Sequence, residues 1–582
     1  MGAAKGKNMT EKTEKWLERL LPVLPVVILY IVCAGRGGFY YSSNDDSLLT
    51  DILSGSYSGE PDAHDIYHIY PLAAVFALLY KLLPGIPWYG GALILAQFVC
   101  LYLVTNRCGE LATSWKGKLA ASALALAVSG AMLFSELRLI QYTMTSAIMA
   151  ATAIFLLVTE KEKRPVAVVL LYLCSCLLRS QMGLLLLPFL LTACFYRWLC
   201  SDCKRKAFFY YLSVVGVLLG ILAVCFLTHR IAYGGEDWKA FEKFNQARTD
   251  IYDFGSIPSY DVNEAFYESL SVEKIEQQLL EKWSFPLSDK WDAGTLGEVS
   301  QYQKELGAYQ YSYRYFLKSL LTVLQYYTFG IRSSYGGVLY LMAVFFVLLC
   351  VAYRRGWILL LSSAVFGAAH VVCWGYLVWR NRMPERVTNG LYLAEAALLI
   401  GVCVHLLRQS RAEGRGTDRM RSLLQLGICV ILLLLTVGLL AFKASDVAKE
   451  LEQTEQEALK NREVLAYCKE RGDRLYLLDT MSFAAAKEKI TWDERADNAT
   501  ICGAWIANSP VYVQKLQKFI AAESLQQGLS SGRVSFIAAE DRDMLWLDDY
   551  LASLEENCRL IQTDKIVTQT GNDYLVYDIV TE

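Results

Sequence analysis

Two adjacent carboxylates are the first side chains of this chain whose spacing suits chemistry. Asp45 and Asp46 stand at the start of the helical pattern "NDDSLLTDILSG", shortly after the first long apolar run. An Asn or Asp before such a pattern is a preferred N-cap, so we expect one of the two acids to cap this helix. Neighbouring residues on a helix point about 100° apart. The second carboxylate is therefore free to accept a proton from a substrate.

Three arginines in the segment "WGYLVWRNRMPERVTNG" form a second group with a chemical use. Arg380, Arg382 and Arg386 follow closely on one another, between two apolar runs. A guanidinium binds two phosphate oxygens at once and keeps its charge, so the segment predicts a phosphate-binding site. Ion pairs with acids such as Glu385, or contact with lipid headgroups, are the alternative interpretation.

Two further arginines lie at the ends of apolar runs. Arg138 in "FSELRLIQY" and Arg179 in "LLRSQMG" are secondary candidates for the same phosphate site, because charged groups at such positions usually face a cavity or a partner. For Arg138 an ion pair with the neighbouring Glu136 is the simpler alternative. Later in the chain, aromatic and amide side chains around Arg248 suit a carbohydrate, or equally an ordinary capping loop.

A cluster of acids and histidines in "EPDAHDIYH" suggests a divalent metal. On a helix, spacings of three between the acids and four between the histidines would place each pair on one face. The four residues are Asp62, His64, Asp65 and His68. An exposed polar loop has the same composition, so Asp45 or Asp46 is the better candidate to bind Mg²⁺ or Mn²⁺ through carboxylate oxygens.

The elements that position these groups are predicted to be membrane helices. Of the 582 residues 54% are hydrophobic, and the mean hydropathy is +0.28. Apolar runs of about 18 residues recur, the length that spans a lipid bilayer. The net charge of -2 gives no overall basic field for nucleic acid. Eleven runs are long enough: 20–36, 88–105, 118–134, 138–158, 165–180, 183–199, 207–228, 337–353, 357–378, 388–407 and 422–442.

The distribution of Lys and Arg orients these runs, because short cytoplasmic loops are basic. Two shorter helical patterns, 68–83 and 316–331, are assigned to the membrane surface. If 68–83 crossed the membrane, the basic loops "NRCGELATSWKGK" and "TEKEKRP" would both lie outside. The resulting topology has a cytoplasmic tail at 1–19, a membrane domain at 20–445 with external loops 37–87 and 229–336, and an external domain at 446–582.

The fold class predicted is a mainly α, polytopic membrane protein with a small extracytoplasmic α/β domain at its C-terminus. Strand-like "RLYLLD" and "RVSFIAA", helical "RDMLWLDDYLASLEEN" and hairpin-like "DKIVTQTGNDYLVYDIV" indicate that domain. Its three cysteines, Cys468, Cys502 and Cys558, cannot all pair with one another. The motif "DNAT" at Asn498 matches an N-glycosylation acceptor.

The first part of the chain resembles the GT-C glycosyltransferases that use polyprenyl-phosphate sugars, in particular protein O-mannosyltransferases and the aminoarabinose transferases of lipid A. The features in common are a first span, an external loop that opens with an acid, and the helical "HIYPLAAVFALLYKLLPGIPWYGG". This helix keeps Tyr70, Pro71 and Leu72, with His68 nearby, but lacks the family's His-Pro-Pro run. The resemblance covers about residues 20–105, extends to the remaining spans as topology, and is absent from the C-terminal region.

The resemblance implies transfer of a sugar from a polyprenyl-phosphate donor to an envelope glycan, teichoic-type polymer, lipid or protein on the external face. A carboxylate would take the proton of the acceptor hydroxyl, with inversion at the anomeric carbon. Asp45 is the first candidate and Asp46 the second. The arginines, or a Mg²⁺ or Mn²⁺ ion, would hold the phosphate. His64, His68 and Tyr70 are candidates for other contacts in the loop.

Two other function classes fit the composition. A lipid-linked glycan flippase or a solute transporter would place ionisable residues or broken helices near the middle of the membrane, whereas the charges noted above lie at run ends. A polysaccharide polymerase also uses lipid-linked glycans and external arginines. It would need no acid directly after the first span.

Overall fold

The computed structural model describes residues 22–581, except 36, 113, 162–164, 308–311, 328–342, 344–355, 413–418, 493–494 and 555–557. The predicted tail at 1–19 and the predicted span at 337–353, apart from residue 343, lie outside the described residues. So does the end of the 316–331 pattern. Side chains from 410 to 444 are described only at Gly438, although their helices are assigned.

Helices dominate the described residues, so the mainly α fold class is confirmed. The first nine are α1 Val23–Gly35, α2 Asn44–Ser54, α3 Tyr70–Leu82, α4 Trp88–Gly109, α5 Trp115–Leu133, α6 Tyr142–Val158, α7 Val166–Leu178, α8 Ser180–Cys200 and α9 Lys204–Ala232. They are followed by α10 Glu236–Phe254, α11 Glu264–Ser269, α12 Lys274–Glu281, α13 Ala293–Leu306, α14 Tyr313–Thr322, α15 Gly356–Trp379, α16 Glu385–Ala412 and α17 Arg419–Glu470. The C-terminal region adds α18 Thr480–Phe483, α19 Pro510–Ile520, α20 Leu525–Gly528 and α21 Leu545–Ser553.

Strands form two sheets. They are β1 Tyr40–Tyr41, β2 Leu139–Ile140, β3 Leu475–Leu478, β4 Glu488–Lys489, β5 Ala499–Ile501, β6 Val534–Ala539, β7 Cys558–Ile566 and β8 Tyr574–Thr581. The larger sheet has the order β5-β3-β6-β8-β7, with β5, β3 and β6 parallel and the β7-β8 hairpin antiparallel. The strands, hairpin and helix predicted for the C-terminal region are therefore confirmed.

Among the described residues, five helices are long and apolar enough to cross a membrane: α4, α8, α9, α15 and the Glu385–Gln409 part of α16. The predicted count of eleven spans is not confirmed. Four other apolar helices, α1, α3, α6 and α7, have 13 to 17 residues. In the apolar window of α16, 78% of the residues are buried, against 22% in α9. Hence α16 lies in the centre of the bundle, and α9 presents its apolar side chains outward.

A break between α7 and α8 places Arg179. The residue adopts an extended backbone between the two helices, with φ of -150° and ψ of 93°. Its carbonyl accepts hydrogen bonds from the amides of Met182 and Gly183. A side chain at Gly183 would put its Cβ 2.5 Å from the sulfur of Cys176, so only glycine lets the two helices approach so closely. The break thus places Arg179 between the end of α7 and the start of α8.

Asn498 is buried in the C-terminal region. Its side-chain nitrogen donates hydrogen bonds to the carbonyl oxygens of Cys468, at 2.7 Å, and Arg471, at 3.0 Å. The prediction of a glycosylation acceptor is therefore wrong, because the amide is inaccessible and already bonded. The three cysteines of this region, Cys468, Cys502 and Cys558, are buried and carry thiol groups.

The C-terminal region is joined to the first external loop. Strand β1 pairs with β2 in parallel and with β4 in antiparallel, so three distant segments share one small sheet. Arg495 supports this junction: its guanidinium forms ion pairs with Asp51 and Glu488 and donates a hydrogen bond to the carbonyl of Ser47 at 3.2 Å. A bidentate guanidinium with two acids is the strong form of an ion pair.

The substitution Arg495→Met should loosen this junction. It would leave Asp51 and Glu488 without their cation in a partly buried site, at a cost of roughly 3 kcal/mol. Thermal unfolding of the purified protein in detergent measures the loss. Lys518→Met is the control, because Lys518 pairs with Asp497 at a more exposed position and should cost less than about 1 kcal/mol. Equal midpoints for the two variants would contradict the proposed role of Arg495.

Candidate active site at the first external loop

Asp46 holds three helices together. One carboxylate oxygen accepts hydrogen bonds from the hydroxyl of Tyr89 at 2.9 Å and from the amide of Tyr142 at 3.1 Å. The other accepts one from the hydroxyl of Ser43 at 3.0 Å. The side chain is fully buried. Asp46 on α2 therefore caps the N-terminus of α6 and contacts α4, and the expectation that one acid caps its own helix is wrong.

Burial is the main reason why the pKa of Asp46 is raised from 3.8 to about 7, and the neighbouring charge of Asp45 adds to the effect. The hydrogen bonds from Tyr89, Ser43 and Tyr142 oppose it. Because all of its partners belong to the protein and no part of it is exposed, Asp46 serves the packing of the site. Of the two predicted carboxylates, the half-buried Asp45 is the one that a substrate can reach.

Asp45 lies in a group of tyrosines and arginines. Burial raises the pKa of Tyr67 well above its usual range, the charge of Asp45 raises it further, and the charges of Arg179 and Arg248 lower it. The charges of Asp45, Arg179 and Arg386 also act on the phenol of Tyr142. Asp45 and Arg179 thus act on both rings, and Arg386 acts on that of Tyr142.

Arg179 is held over both of these rings. The centre of its guanidinium is 4.8 Å from the ring of Tyr67 and 5.2 Å from that of Tyr142, distances typical of cation–π contacts. Its Nη1 atom is buried and has no hydrogen-bond partner among the described residues. A buried guanidinium nitrogen without a partner is costly unless it meets an anion or a water molecule. The arrangement can therefore bind an anionic oxygen.

The three arginines of the 374–390 segment do not form a single group. Arg380 lies over the ring of Phe254, at the end of α10, at 3.9 Å, and Arg382 lies over the same ring at 5.1 Å. Nη1 of Arg382 forms an ion pair with Asp253 at 2.6 Å. The segment therefore holds α10 against the bundle. Of the three arginines, Arg386 is the one whose charge acts on Tyr142.

A cavity of about 1060 Å³ lies between the end of α5, the start of α16 and the outer part of α17. Arg138, Arg386, Ser43 and Asn389 line it, and the side-chain oxygen of Asn389 is buried without a partner. Its other charged residues are acids: Glu136, Glu385, Asp446, Glu450, Glu452 and Glu455. Since the acids outnumber the arginines, the cavity as a whole has no positive charge to offer a phosphate. The anion site is better placed at Arg179.

Arg138 has a mainly structural position. It is buried, and its Nε atom donates a hydrogen bond to the carbonyl of Gly38 at 3.3 Å, next to β1. Met132, which lines the large cavity together with Arg138, also lines a small apolar cavity of about 60 Å³ between α4, α5, α6 and α16. A polar cavity thus adjoins an apolar one.

The predicted acid and histidine cluster is not helical, so its members do not pair across a helix face. His64 contacts Asp62 at 2.7 Å and stacks on Trp238, and Nδ1 of His68 contacts Asp65. Burial lowers the pKa of His64, but the hydrogen bond to Asp62, the charges of Asp62 and Asp65 and the hydrogen bond to the carbonyl of Ala232 together outweigh it, so the pKa is raised.

These contacts tie the first loop to neighbouring helices. The backbone amide of Tyr70 donates to His229 on α9 at 3.2 Å, and the ring of His68 lies 5.4 Å from that of Tyr89. His64 and Tyr70 therefore connect the loop to α9, and His68 packs beside the partners of Asp46. We find His64, His68 and Tyr70 in positions that support the loop.

The described residues offer no group of three His, Cys, Asp or Glu side chains that could hold a metal ion. Both oxygens of Asp46 accept hydrogen bonds from protein donors, which leaves Asp45 as a single carboxylate ligand. The donor set does not fit a protein-bound Mg²⁺ or Mn²⁺ ion, which prefers several oxygen ligands.

A buried acid inside the bundle was missed in the sequence. Glu395, on α16, accepts a hydrogen bond from Trp374 at 3.1 Å and contacts His370 at 2.7 Å, both on α15. Glu395 is fully buried, and its second oxygen and the Nε2 atom of His370 have no partner among the described residues. A lone acid within the apolar run "LYLAEAALLI" is the signal that would have found it.

Comparison with known proteins adds no assignment. No family model, no curated protein and no solved structure matches the chain. The resemblance to GT-C glycosyltransferases therefore stays a prediction. Sequence reasoning did select Asp45 and Arg179, whose charges act on both Tyr67 and Tyr142, and Arg386, whose charge acts on Tyr142. It missed both tyrosines, which no motif distinguishes from the chain's other aromatic residues.

The buried carboxylate of Asp46 should make stability depend on pH. As pH rises from about 4 to about 7, this carboxyl group is deprotonated in the unfolded chain but stays protonated in the folded chain. The free energy of unfolding therefore falls by up to about 4 kcal/mol. Asp46→Asn keeps the shape of the side chain and removes its ionisable group. We expect its thermal midpoint to fall less between about pH 5 and about pH 8 than that of the wild type. Asp45→Asn is the matched control: it removes only the smaller contribution of the neighbouring charge, so its profile should flatten less than that of Asp46→Asn. Equal flattening in the two variants would contradict this assignment.

Proposed function

We propose that this protein is an outward-facing membrane glycosyltransferase that uses a polyprenyl-phosphate sugar as its donor. The observation that supports the proposal is the buried, unpartnered Nη1 of Arg179 beside two tyrosine rings on which the charge of Asp45 also acts. This reaction needs an N–H group that can bind the phosphate and an accessible carboxylate close to it. The acceptor would be an envelope glycan, teichoic-type polymer, lipid or protein.

In the proposed reaction the hydroxyl oxygen of the acceptor attacks the anomeric carbon, and Asp45 accepts the proton of that hydroxyl. The bond from that carbon to the phosphate oxygen breaks, and the polyprenyl phosphate leaves with the electron pair. Arg179 stabilises the charge that develops on the phosphate. A single displacement inverts the anomeric carbon. The leaving group needs no strong acid, which agrees with a site where Asp46 serves the packing.

The membrane setting is consistent with this proposal. Among the described residues, five helices are apolar and long enough to span a bilayer. The proposal places the N-terminus in the cytoplasm and the C-terminal domain outside. No step depends on a metal ion, because the described residues do not provide a set of ligands.

A flippase or transporter is the second candidate function. The observation in its favour is the fully buried Glu395 with His370 and Trp374, because ionisable residues inside a bundle are typical of transport pathways. Against it, Glu395, His370 and Trp374 line neither of the two cavities described for this bundle. A polysaccharide polymerase remains the third candidate, since it would also use the arginines.

Transfer from labelled polyprenyl-phosphate hexosides tests the role of Asp45. The purified protein is incubated with an envelope extract as acceptor, and release of the polyprenyl phosphate is measured. We expect Asp45→Asn to lower turnover roughly 10²- to 10⁴-fold, because general base catalysis contributes about that much. Donor binding should be kept. Unchanged turnover in Asp45→Asn would reject the catalytic assignment.

Binding of a short donor analogue tests Arg179 without knowledge of the sugar. Farnesyl phosphate is titrated into the protein in detergent, with farnesol as the ligand without charge. We expect Arg179→Gln to weaken the binding of farnesyl phosphate roughly 10- to 100-fold, because one charge-assisted hydrogen bond is lost.

Two matched arginine variants complete that experiment. Arg382→Gln should weaken binding less than Arg179→Gln, since Arg382 is already engaged by Asp253. The exposed Arg314→Gln should bind like the wild type. If the three variants lose equal affinity, or if farnesol binds as tightly as farnesyl phosphate, the phosphate site is not at Arg179.

A further inference from the structure

A loop of the C-terminal domain reaches the group around Asp45. The amide of Gly503 donates a hydrogen bond to the hydroxyl of Thr480 at 3.0 Å, and the same hydroxyl donates one to the carbonyl of Trp283 at 3.2 Å. A Cβ at Gly503 would lie 1.8 Å from that carbonyl oxygen. The loop is thus pressed against the external loop and cannot carry a larger residue there. Two residues later it presents Trp505.

Trp505 packs on the tyrosine that Arg179 covers. Its ring centre is 4.5 Å from that of Tyr67, in an edge-on arrangement. The side chain is 7% exposed, and its indole nitrogen is buried with no hydrogen-bond partner among the described residues. Indole N–H groups usually find a partner when they are buried. Trp505 and Arg179 therefore both have an unpartnered N–H group while contacting the same ring.

We propose that Trp505 contacts the substrate and donates its N–H to an oxygen of the donor, either a phosphate oxygen or a sugar hydroxyl. This inference rests on the proposed function and extends it, because the binding site then includes a residue of the C-terminal domain. The ring would contribute an apolar face, which suits a sugar, and the N–H group the directional contact. The membrane domain alone would hold an incomplete site.

The experiment compares Trp505→Phe with the wild type in the full-length protein. Phenylalanine keeps an aromatic ring and removes the N–H group. The ligands are farnesyl phosphate and a panel of farnesyl-phosphoryl hexosides containing mannose, glucose or galactose, titrated calorimetrically in detergent. Trp546→Phe is the control, because Trp546 is also buried with an unpartnered N–H group but lies on α21, beside β7 and α12. Thermal midpoints show that each variant is folded.

We expect Trp505→Phe to weaken binding about 2- to 12-fold, the loss that corresponds to one hydrogen bond. A loss for farnesyl phosphate and for the hexosides alike assigns the N–H group to a phosphate oxygen. A loss for a hexoside alone assigns it to a sugar hydroxyl. Trp546→Phe should bind like the wild type.

The two proposals fail in different ways. If the wild type binds the probes and Trp505→Phe binds them equally well, the role of Trp505 is refuted and the proposed function stands. An equal loss in Trp505→Phe and Trp546→Phe also refutes it, because the effect is then not specific to the site. If the wild type binds neither farnesyl phosphate nor any hexoside, the proposed function fails and the inference fails with it.

Discussion

The buried carboxylate of Asp46 is the constraint on which the candidate site depends. It links the start of α2 to Tyr89 on α4 and to the first amide of α6. Hydrogen bonds to a buried acid are strong where they are made and costly where one is lost. The position of Asp45 follows from this junction, because the two acids are neighbours on the same helical turn. So does the position of Tyr142, the first residue of α6.

Around that junction, the candidate site is assembled from segments that are far apart in sequence. The first external loop supplies Asp45 and Tyr67, the break between α7 and α8 supplies Arg179, and the C-terminal domain supplies Trp505. A local contact holds each of these segments in place. Asp46 caps α6 beside the first loop, Gly183 lets α7 and α8 approach closely at Arg179, and Gly503 packs on the carbonyl of Trp283 near Trp505. A site built this way depends on how its parts are docked, as well as on the residues that contact the ligand.

Features that depend on local sequence could be predicted from the chain alone. The helix over α3 and the hairpin of β7 and β8 follow from periodicity and turn residues. Partners remote in sequence could not be predicted. Asp46 caps a helix that begins at Tyr142, and Arg382 pairs with Asp253, because tertiary contacts brought these groups together. Nothing in the residues around Trp505 signals its contact with Tyr67.

The 52-residue helix α17 runs without interruption from the predicted last span into the C-terminal domain. At about 1.5 Å per residue it is about 78 Å long. A continuous helix transmits rotation, and each residue turns it by about 100°. The orientation of the C-terminal domain about the axis of α17 therefore depends on the number of residues in that helix. Adding a single residue would rotate the domain by more than a quarter of a circle, so the length of this one helix determines whether Trp505 can face Tyr67.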